Sequence, residues 1–371
     1  MVQVGALLAL SLQGRRGGTS ATQGERSGAS ESGRDSPVRS CEGGLLFAYL
    51  IRRVGQSLLI LFAMSLLVFV AVYAIGNPVD SLISPDADQA DRAAVIRQLG
   101  LDRPLYQQYG LFLWNAVQGD LGRSFVYGLP ATGVILDRLP ATLELAVMAL
   151  ILSLALGIPL GVLAGLRPNS AVGRTIMSGS ILGFSLPNFW IGLMLILVFA
   201  VQLRILPSGG RGETARAFGI EFAFLTLDGL RHMILPAFTL ALYKASLVVR
   251  ISEAGTREVM AQDFIRFARS KGLSPARIVC VHILKNILIP VVTIVGMEFG
   301  ALIAFAVVVE SVFAYPGMGK LLIDSINRID RPMIVAYLLT TTLIFVIVNF
   351  VVDLLYAALD PRIRLSDEAA T

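Results

Sequence analysis

Residues 143–166 read LELAVMALILSLALGIPLGVLAGL. From Ala146 to Leu156 the stretch is apolar on every face, with neither the alternation of a half-buried strand nor a polar stripe at helical spacing. A run of this kind exceeds the roughly 20 residues that cross a bilayer core as a helix. A closed barrel would instead show segments of about ten residues in strict alternation. Five further runs carry the same signal: Val54 to Ile75, Ile176 to Leu203, Met233 to Val249, Ile287 to Val309 and Ile334 to Leu359. The expected fold is therefore all-α, a polytopic membrane protein with about six transmembrane helices. Composition agrees, since 55% of the 371 residues are hydrophobic and 15% charged, with a mean hydropathy of +0.72.

The net charge of +5 does not point to nucleic acid, because the basic residues lie in the short segments between apolar runs. Arg52 and Arg53 precede the first run, Arg167 and Arg174 separate the second from the third, and residues 250–285 hold seven basic against three acidic residues. By the positive-inside rule these segments are cytoplasmic. Residues 76–138 hold seven Asp against five Arg and read as external, which places both termini in the cytoplasm. The partner expected of the surface is membrane lipid. Cys41 and Cys280 make no disulfide framework, and His232 and His282 fall on opposite faces, so the chain offers no metal site of its own.

The domain reading is a disordered extension over 1–44 followed by one membrane domain over 45–371. Residues 1–44 are rich in Gly, Ser and Arg, and they lack the basic start and the small-residue cleavage site of a signal peptide. The external segment 76–138 has helical periodicity at Ala93, Ile96 and Leu99 and again at Leu105, Tyr109, Phe112 and Trp114, and reads as a small helical cap or a docking surface. A second external loop, Arg204 to His232, carries Gly209, Gly210 and Gly212 and is expected to be mobile.

Residues 250–285, RISEAGTREVMAQDFIRFARSKGLSPARIVCVHILK, are too polar to span and too regular for a slack loop. Met260, Phe264, Phe267 and Ala268 recur at three- and four-residue spacing, with Arg266, Arg269 and Lys271 on the other side, giving a short amphipathic helix. Gly272 suits the left-handed position just past its end, and Lys271 the negative pole of its dipole. Ser274 and Pro275 suit the cap and first turn of the next helix. A cationic elbow of this kind fits either a groove in a soluble partner or an anionic lipid surface.

Gly317-Met-Gly-Lys320 lacks the further Gly and the Ser or Thr of a phosphate loop, and by topology it faces away from cytoplasmic nucleotide. Lys244, Glu298 and Asp353 are ionisable groups inside or near the ends of spans, where such groups pair or face a polar cavity. Lys244 and Glu298 are candidate pore residues and candidate partners, with Glu298 able to attract the amino terminus of a peptide, while Asp353 reads as a packing residue. No nucleophile with a base and no metal pair is evident, so no catalytic residue is assigned.

From about Tyr49 to Leu365 the sequence resembles the permease subunits of ATP-binding-cassette importers, specifically the dipeptide and oligopeptide branch, and more closely the first of the two permeases. The resemblance is carried by Tyr49-Leu-Ile-Arg-Arg, Gln98-Leu-Gly-Leu-Asp-Arg-Pro-Leu, Gly119-Asp-Leu-Gly-Arg-Ser and Leu139-Pro-Ala-Thr-Leu-Glu-Leu. It continues through Ser185-Leu-Pro-Asn-Phe-Trp-Ile-Gly, Leu235-Pro-Ala, Gln262 to Leu273, Asn286 to Thr293, Val309-Glu-Ser-Val-Phe-Ala-Tyr-Pro-Gly-Met-Gly and Asp353 to Arg362. In that family the loop before the fifth span holds a short coupling helix that docks into the ATP-binding subunit. The resemblance places it at about Gln262 to Gly272, with Asp263, Phe264, Arg266, Ala268, Lys271 and Gly272 as coupling residues. Arg266-Phe267-Ala268 stands where the general motif has Glu-Ala-Ala, and His282-Ile-Leu-Lys285 replaces its usual ending.

The resemblance implies a non-catalytic subunit of a bacterial inner membrane importer for peptides. Its implied partners are a second homologous permease, two ATPase subunits and an extracytoplasmic binding protein. The chain itself binds no cofactor, and ATP and Mg are used by the ATPases. The same machinery carrying nickel complexes, glutathione or another small solute is the alternative substrate reading. A secondary transporter or channel working alone is the alternative of another class, with little support from the few embedded charges.

Overall fold

The computed structural model describes residues 41–74 and 103–359. Of the external segment, Ala93, Ile96 and Leu99 lie outside the described residues, as does almost all of the 1–44 extension. The chain divides into Met1–Phe47 and Ala48–Thr371, and of the first unit only the residues from Cys41 onward are described. Helix α1 spans Cys41–Ala74. After the undescribed stretch come α2, Leu105–Val117, α3, Ala131–Leu166, α4, Ala171–Ser185, and α5, Asn188–Leu195, which runs on as a π-helix over Ile196–Gln202. A two-stranded antiparallel hairpin, β1 Ala215–Ala217 and β2 Ile220–Phe222, pairs Ala215 with Phe222. Helices α6, Leu227–Ala261, and α7, Asp263–Ser270, follow. A single turn at Pro275–Arg277 and a π segment Ile278–Ile283 lead into α8, Leu284–Val312. Helices α9, Met318–Asn327, and α10, Arg331–Leu359, complete the described fold.

Among the described residues, five helices are long and apolar enough to cross a membrane, and six spans result if the bent pair α4 and α5 counts as one. That pair corrects the expectation of a continuous third span from Ile176 to Leu203: the chain turns by 107° there. Pro187 has no N–H to give and excludes the helical conformation at Leu186, which is extended with ψ 137°. The second span also begins earlier than Leu143. At 36 residues, α3 is about 54 Å long, longer than the roughly 30 Å of a hydrocarbon layer. The fourth span likewise runs on unbroken to Ala261, which puts Met260 on α6 rather than on the short amphipathic helix.

Helices in a bilayer gain little from leaving lipid for one another, so close backbone approach has to supply the attraction. The α3–α6 contact does this with Gly157, Gly161 and Gly165, four residues apart on one face of α3. A Cβ on Gly157 would lie 2.6 Å from the Val248 Cβ, and one on Gly165 would lie 2.6 Å from the Thr256 Cβ. Around this seam Leu145, Ala149, Leu240, Leu302 and Phe313 form a buried core shared by α3, α6, α8 and the loop after it. Helix α1 is different. Leu58, Leu59, Leu67 and Val70 are exposed, and its described side chains meet α2 through Tyr109, whose hydroxyl is 2.8 Å from Ser65 Oγ and whose ring packs edge-on against Phe69 at 5.2 Å.

Candidate functional site

The short helix α7 is bounded by two backbone reversals. Gln262 is extended, with ψ 148°, and separates α7 from α6. At the other end Gly272 has φ +75°, its N–H donates to the Arg269 carbonyl at 2.9 Å, and the Leu273 N–H donates to the Ala268 carbonyl at 3.3 Å. These two bonds are the Schellman pattern, which satisfies carbonyls that a helix end would leave bare and needs a left-handed residue at the turn. Ser274 then caps the next turn by accepting from the Arg277 N–H, with Pro275 at the first helical position. The result is helix, sharp bend, helix.

Helix α7 is held to the membrane domain by one face. Ile265 and Ala268 are buried in a cluster with Val162 of α3 and Ile278, Ile283 and Ile287. This differs from the expected apolar face. Phe264 and Phe267 are exposed, Phe267 to 61%, and Lys271 sits over the Phe267 ring at 4.5 Å. The apolar residues of α7 thus divide into an inward pair and an outward aromatic pair, a distinction that spacing alone does not draw. Of the sequence-derived coupling residues, Asp263, Phe264, Arg266, Lys271 and Gly272 are exposed and Ala268 is not. Asp263 and Arg266 form an exposed ion pair at 3.2 Å.

Deeper in the bundle, Lys244 Nζ of α6 donates to Glu298 Oε2 of α8. The lysine side chain is 5% exposed and the glutamate 36%. Tyr243 alongside stacks on Phe184 of α4 at 4.7 Å, and its ring lies 5.3 Å from the ammonium. The Asp353 side chain lies outside the described residues. Among those described, no cluster of metal-ligating side chains exists.

Three buried carboxylates at the other end of the bundle escaped the sequence reading. Glu144 accepts from Arg211 Nη2 at 2.7 Å and from the Ala223 N–H at 3.0 Å. Arg211 also donates to the Glu221 carbonyl at 2.7 Å. The loop Arg204 to His232, expected to be mobile, is tied down by these bonds, by the Gly210 N–H to the Phe313 carbonyl at 2.9 Å and by the Glu213 N–H to Asp228 Oδ2 at 2.9 Å. Glu310 accepts from Thr142 Oγ1 at 2.7 Å and from the Lys320 N–H at 3.0 Å, while Thr142 Oγ1 accepts from the Met318 N–H at 2.8 Å. The Gly317-Met-Gly-Lys320 turn that imitates a phosphate loop does enclose an acidic group at the start of a helix, and that group is the chain's own Glu310 side chain. Asp330 takes the Ser124 hydroxyl, the Phe125 N–H at 3.1 Å and the Val126 N–H at 3.3 Å. Beside Glu144, burial and then the neighbouring carboxylate charge push the Tyr315 phenol well above its usual range, so it stays a neutral hydroxyl.

The sequence signal for two of these groups was in plain view: Glu144 opens the second apolar run and Glu310 directly follows the fifth. Asp330 lies between helices and carries no local mark of burial.

Comparison with known proteins covers nearly the whole described chain. The family model described as binding-protein-dependent transport system inner membrane component matches residues 157–365, and the model of the N-terminal part of such components matches residues 46–146. The oligopeptide transport system permease protein AppB of Bacillus subtilis is 41% identical over 319 residues, which is 85% of this chain and 99% of its own. The di/tripeptide transport system permease protein DppB of Pseudomonas aeruginosa is 38% identical over 333 residues, 86% of this chain and 99% of its own. The glutathione transport system permease protein GsiC of Escherichia coli is 38% identical over 317 residues, 85% and 98%.

Proposed function

Since the chain belongs to the family of binding-protein-dependent transport system inner membrane components, we propose that it forms, with a second permease, the path by which peptides enter the cell. The chain is a multi-pass inner membrane permease subunit and not an enzyme. Peptides as cargo are supported by relatives named for oligopeptide and di/tripeptide transport, and the relative named for glutathione, itself a tripeptide, fits the same class. Energy comes from two ATPase subunits that bind ATP and Mg, and substrate from an extracytoplasmic binding protein. Both chain termini and the α7 elbow face the cytoplasm, and the membrane domain comprises residues 45–371.

The observation that carries this reading is the elbow itself. Helix α7 is seated inward by Ile265 and Ala268 and presents Asp263, Phe264, Arg266 and Lys271 outward, with an aromatic anchor and surrounding charge suited to a groove in an ATPase. A rigid bend at Gly272 passes movement of that helix into the Ser274-capped turn and α8. No side-chain atom of a neighbour lies within 4 Å of a Cβ at Gly272, so a substitution acts through φ alone. Gly272→Val should strain the turn by about 1–3 kcal/mol and abolish peptide uptake while the protein still reaches the membrane. Gly272→Asn, which tolerates the left-handed region, should keep much of the uptake. Normal uptake by the valine variant would overturn the coupling role.

Lys244 and Glu298 are assigned to the pore. An embedded carboxylate one-third exposed is costly against lipid and acceptable against a polar path or the second permease. Glu298→Gln should lower uptake of peptides with a free amino terminus more than of those with a blocked one. Unchanged uptake and range would end that assignment.

A further inference from the structure

The Lys244–Glu298 pair joins the central residues of two helices: Lys244 is the midpoint of α6, Leu227–Ala261, and Glu298 that of α8, Leu284–Val312. Glu298 is therefore about 21 Å along the axis from either end of α8, too far for its side chain to carry the charge to a helix end. The break between α4 and α5 abuts the same part of α6. A Cβ on Gly183 would lie 2.7 Å from Ser246 Oγ and 3.4 Å from Leu242 Cγ. Pro187 has no N–H to offer the Gly183 carbonyl, and Leu186 and Pro187 are both exposed. A discontinuous helix beside embedded charges is the arrangement in which membrane transporters hold their cargo.

Three aromatic rings stand around the pair. Phe184, near the end of α4, stacks on Tyr243 at 4.7 Å and lies 5.1 Å from the Arg250 guanidinium. Phe305, two turns beyond Glu298 on the same face of α8, is 6.4 Å from Tyr243. Phe184 and Phe305 are exposed, so this aromatic shelf is open on one side and can take an apolar side chain. The two charges beside it complement a molecule that carries one charge of each sign a short distance apart, as a short peptide does at its termini.

We infer that this cluster recognises short peptides with both termini free by exchanging its ion pair: Glu298 leaves Lys244 for the peptide's ammonium, and Lys244 takes the peptide's carboxylate. With the site empty the two side chains neutralise each other, which a single embedded charge could not do. With a zwitterionic peptide in place, one ion pair becomes two and no charge is stranded. A peptide with one charged end breaks this balance. Its ammonium would take Glu298 and leave Lys244 alone, or its carboxylate would take Lys244 and leave Glu298 alone, and a stranded charge within the bundle is costly. The shelf of Phe184, Tyr243 and Phe305 holds a side chain next to the exchanged pair. The inference rests on the pore assignment above and extends it, since attraction of an amino terminus by Glu298 alone gives the carboxylate no role.

The test uses the assembled transporter in nanodiscs without its binding protein, so that only the membrane subunits select. Binding of the dipeptide Ala-Phe is measured at neutral pH in four forms: free, N-acetylated, C-amidated and blocked at both ends. The wild type should bind the free form best, the doubly blocked form severalfold more weakly because it leaves the pair intact, and the two singly blocked forms weakest, by about tenfold or more. Glu298→Gln should reverse the order and bind the N-acetylated form about tenfold better than the free one, and Lys244→Met should do the same for the amidated form. Misfolding cannot produce such a reversal. Phe305→Ala should weaken Ala-Phe severalfold and leave Ala-Ala nearly unchanged. Equal binding of the four forms by the wild type, binding no greater than to protein-free nanodiscs, or an unreversed order in both charge variants overturns the exchange and leaves the pair as a brace or a contact with the second permease. Uptake by the full system with its binding protein is read separately. Its absence counts against peptide import, whereas normal uptake with four equal affinities counts against the exchange alone.

Discussion

At the Ala131 end of α3 the chain buries Glu144, Glu310 and Asp330 and spends their lone pairs on its own loops. At the Leu166 end it leaves the charges of α7 and two phenylalanines in the open. The difference separates two kinds of order. Buried carboxylates that accept backbone N–H bonds make loops rigid before any partner arrives, because each N–H released into a dry interior would be left unpaired. A helix whose buried side chains are Ile265 and Ala268 has its position fixed by few side chains, and its outward face is free to be shaped by what it docks against. One end is a preformed surface and the other a movable contact, a division suited to the importer role proposed above.

The largest effect should follow from emptying the Glu310 site. Glu310→Ala removes the acceptor for Thr142 and the Lys320 N–H beneath glycines that close directly over it. Two or more buried groups left unpaired cost about 3 kcal/mol or more, enough to lower the thermal midpoint in detergent sharply and to reduce the amount of protein in the membrane. A midpoint equal to that of the native chain would show that this end is not held together as argued. At the elbow the balance should reverse. Phe264→Ala combined with Phe267→Ala changes stability by about 0.5 kcal/mol or less, since both rings are exposed, but should cut peptide-stimulated ATP hydrolysis by at least tenfold. A large stability loss with normal coupling would mean that the rings pack within the chain after all.

These two ends also differ in how far their sequence announced them. The elbow is governed by contacts within a few residues: Gly272 takes the left-handed position, Ser274 caps, and Pro275 starts the next turn, each by rules that need no tertiary partner. The partners of Glu144 are 67 and 79 residues away and those of Asp330 more than 200, so nothing local distinguishes these carboxylates from loop charges. Apolar length found the spans and hid the break in one of them, because Leu186-Pro187 is as hydrophobic as its surroundings and only the backbone restriction of proline marks it. The split of the α7 apolar residues into a buried and an exposed pair was out of reach for a similar reason. An eight-residue helix has too few turns for spacing to say which side meets the protein.

The smallest effect, and the finest probe of the contrast, lies with the Asp263–Arg266 pair. It resembles the Lys244–Glu298 pair in chemistry and differs in setting: its side chains are 95% and 76% exposed, against 36% and 5% for the glutamate and lysine. Water screens an ion pair so open, and holding two long side chains in place offsets most of the attraction. Asp263→Ala and Arg266→Ala, alone or together, should leave the thermal midpoint unmoved, with a double-mutant cycle showing no coupling in the isolated chain. If α7 docks into an ATPase groove, the same cycle measured on ATPase binding should show coupling, because the groove excludes the water that screens the pair. Coupling in the isolated chain would make the pair part of the fold and bring the two ends closer in kind. Coupling only in the complex would confirm that this end acquires its order from the partner.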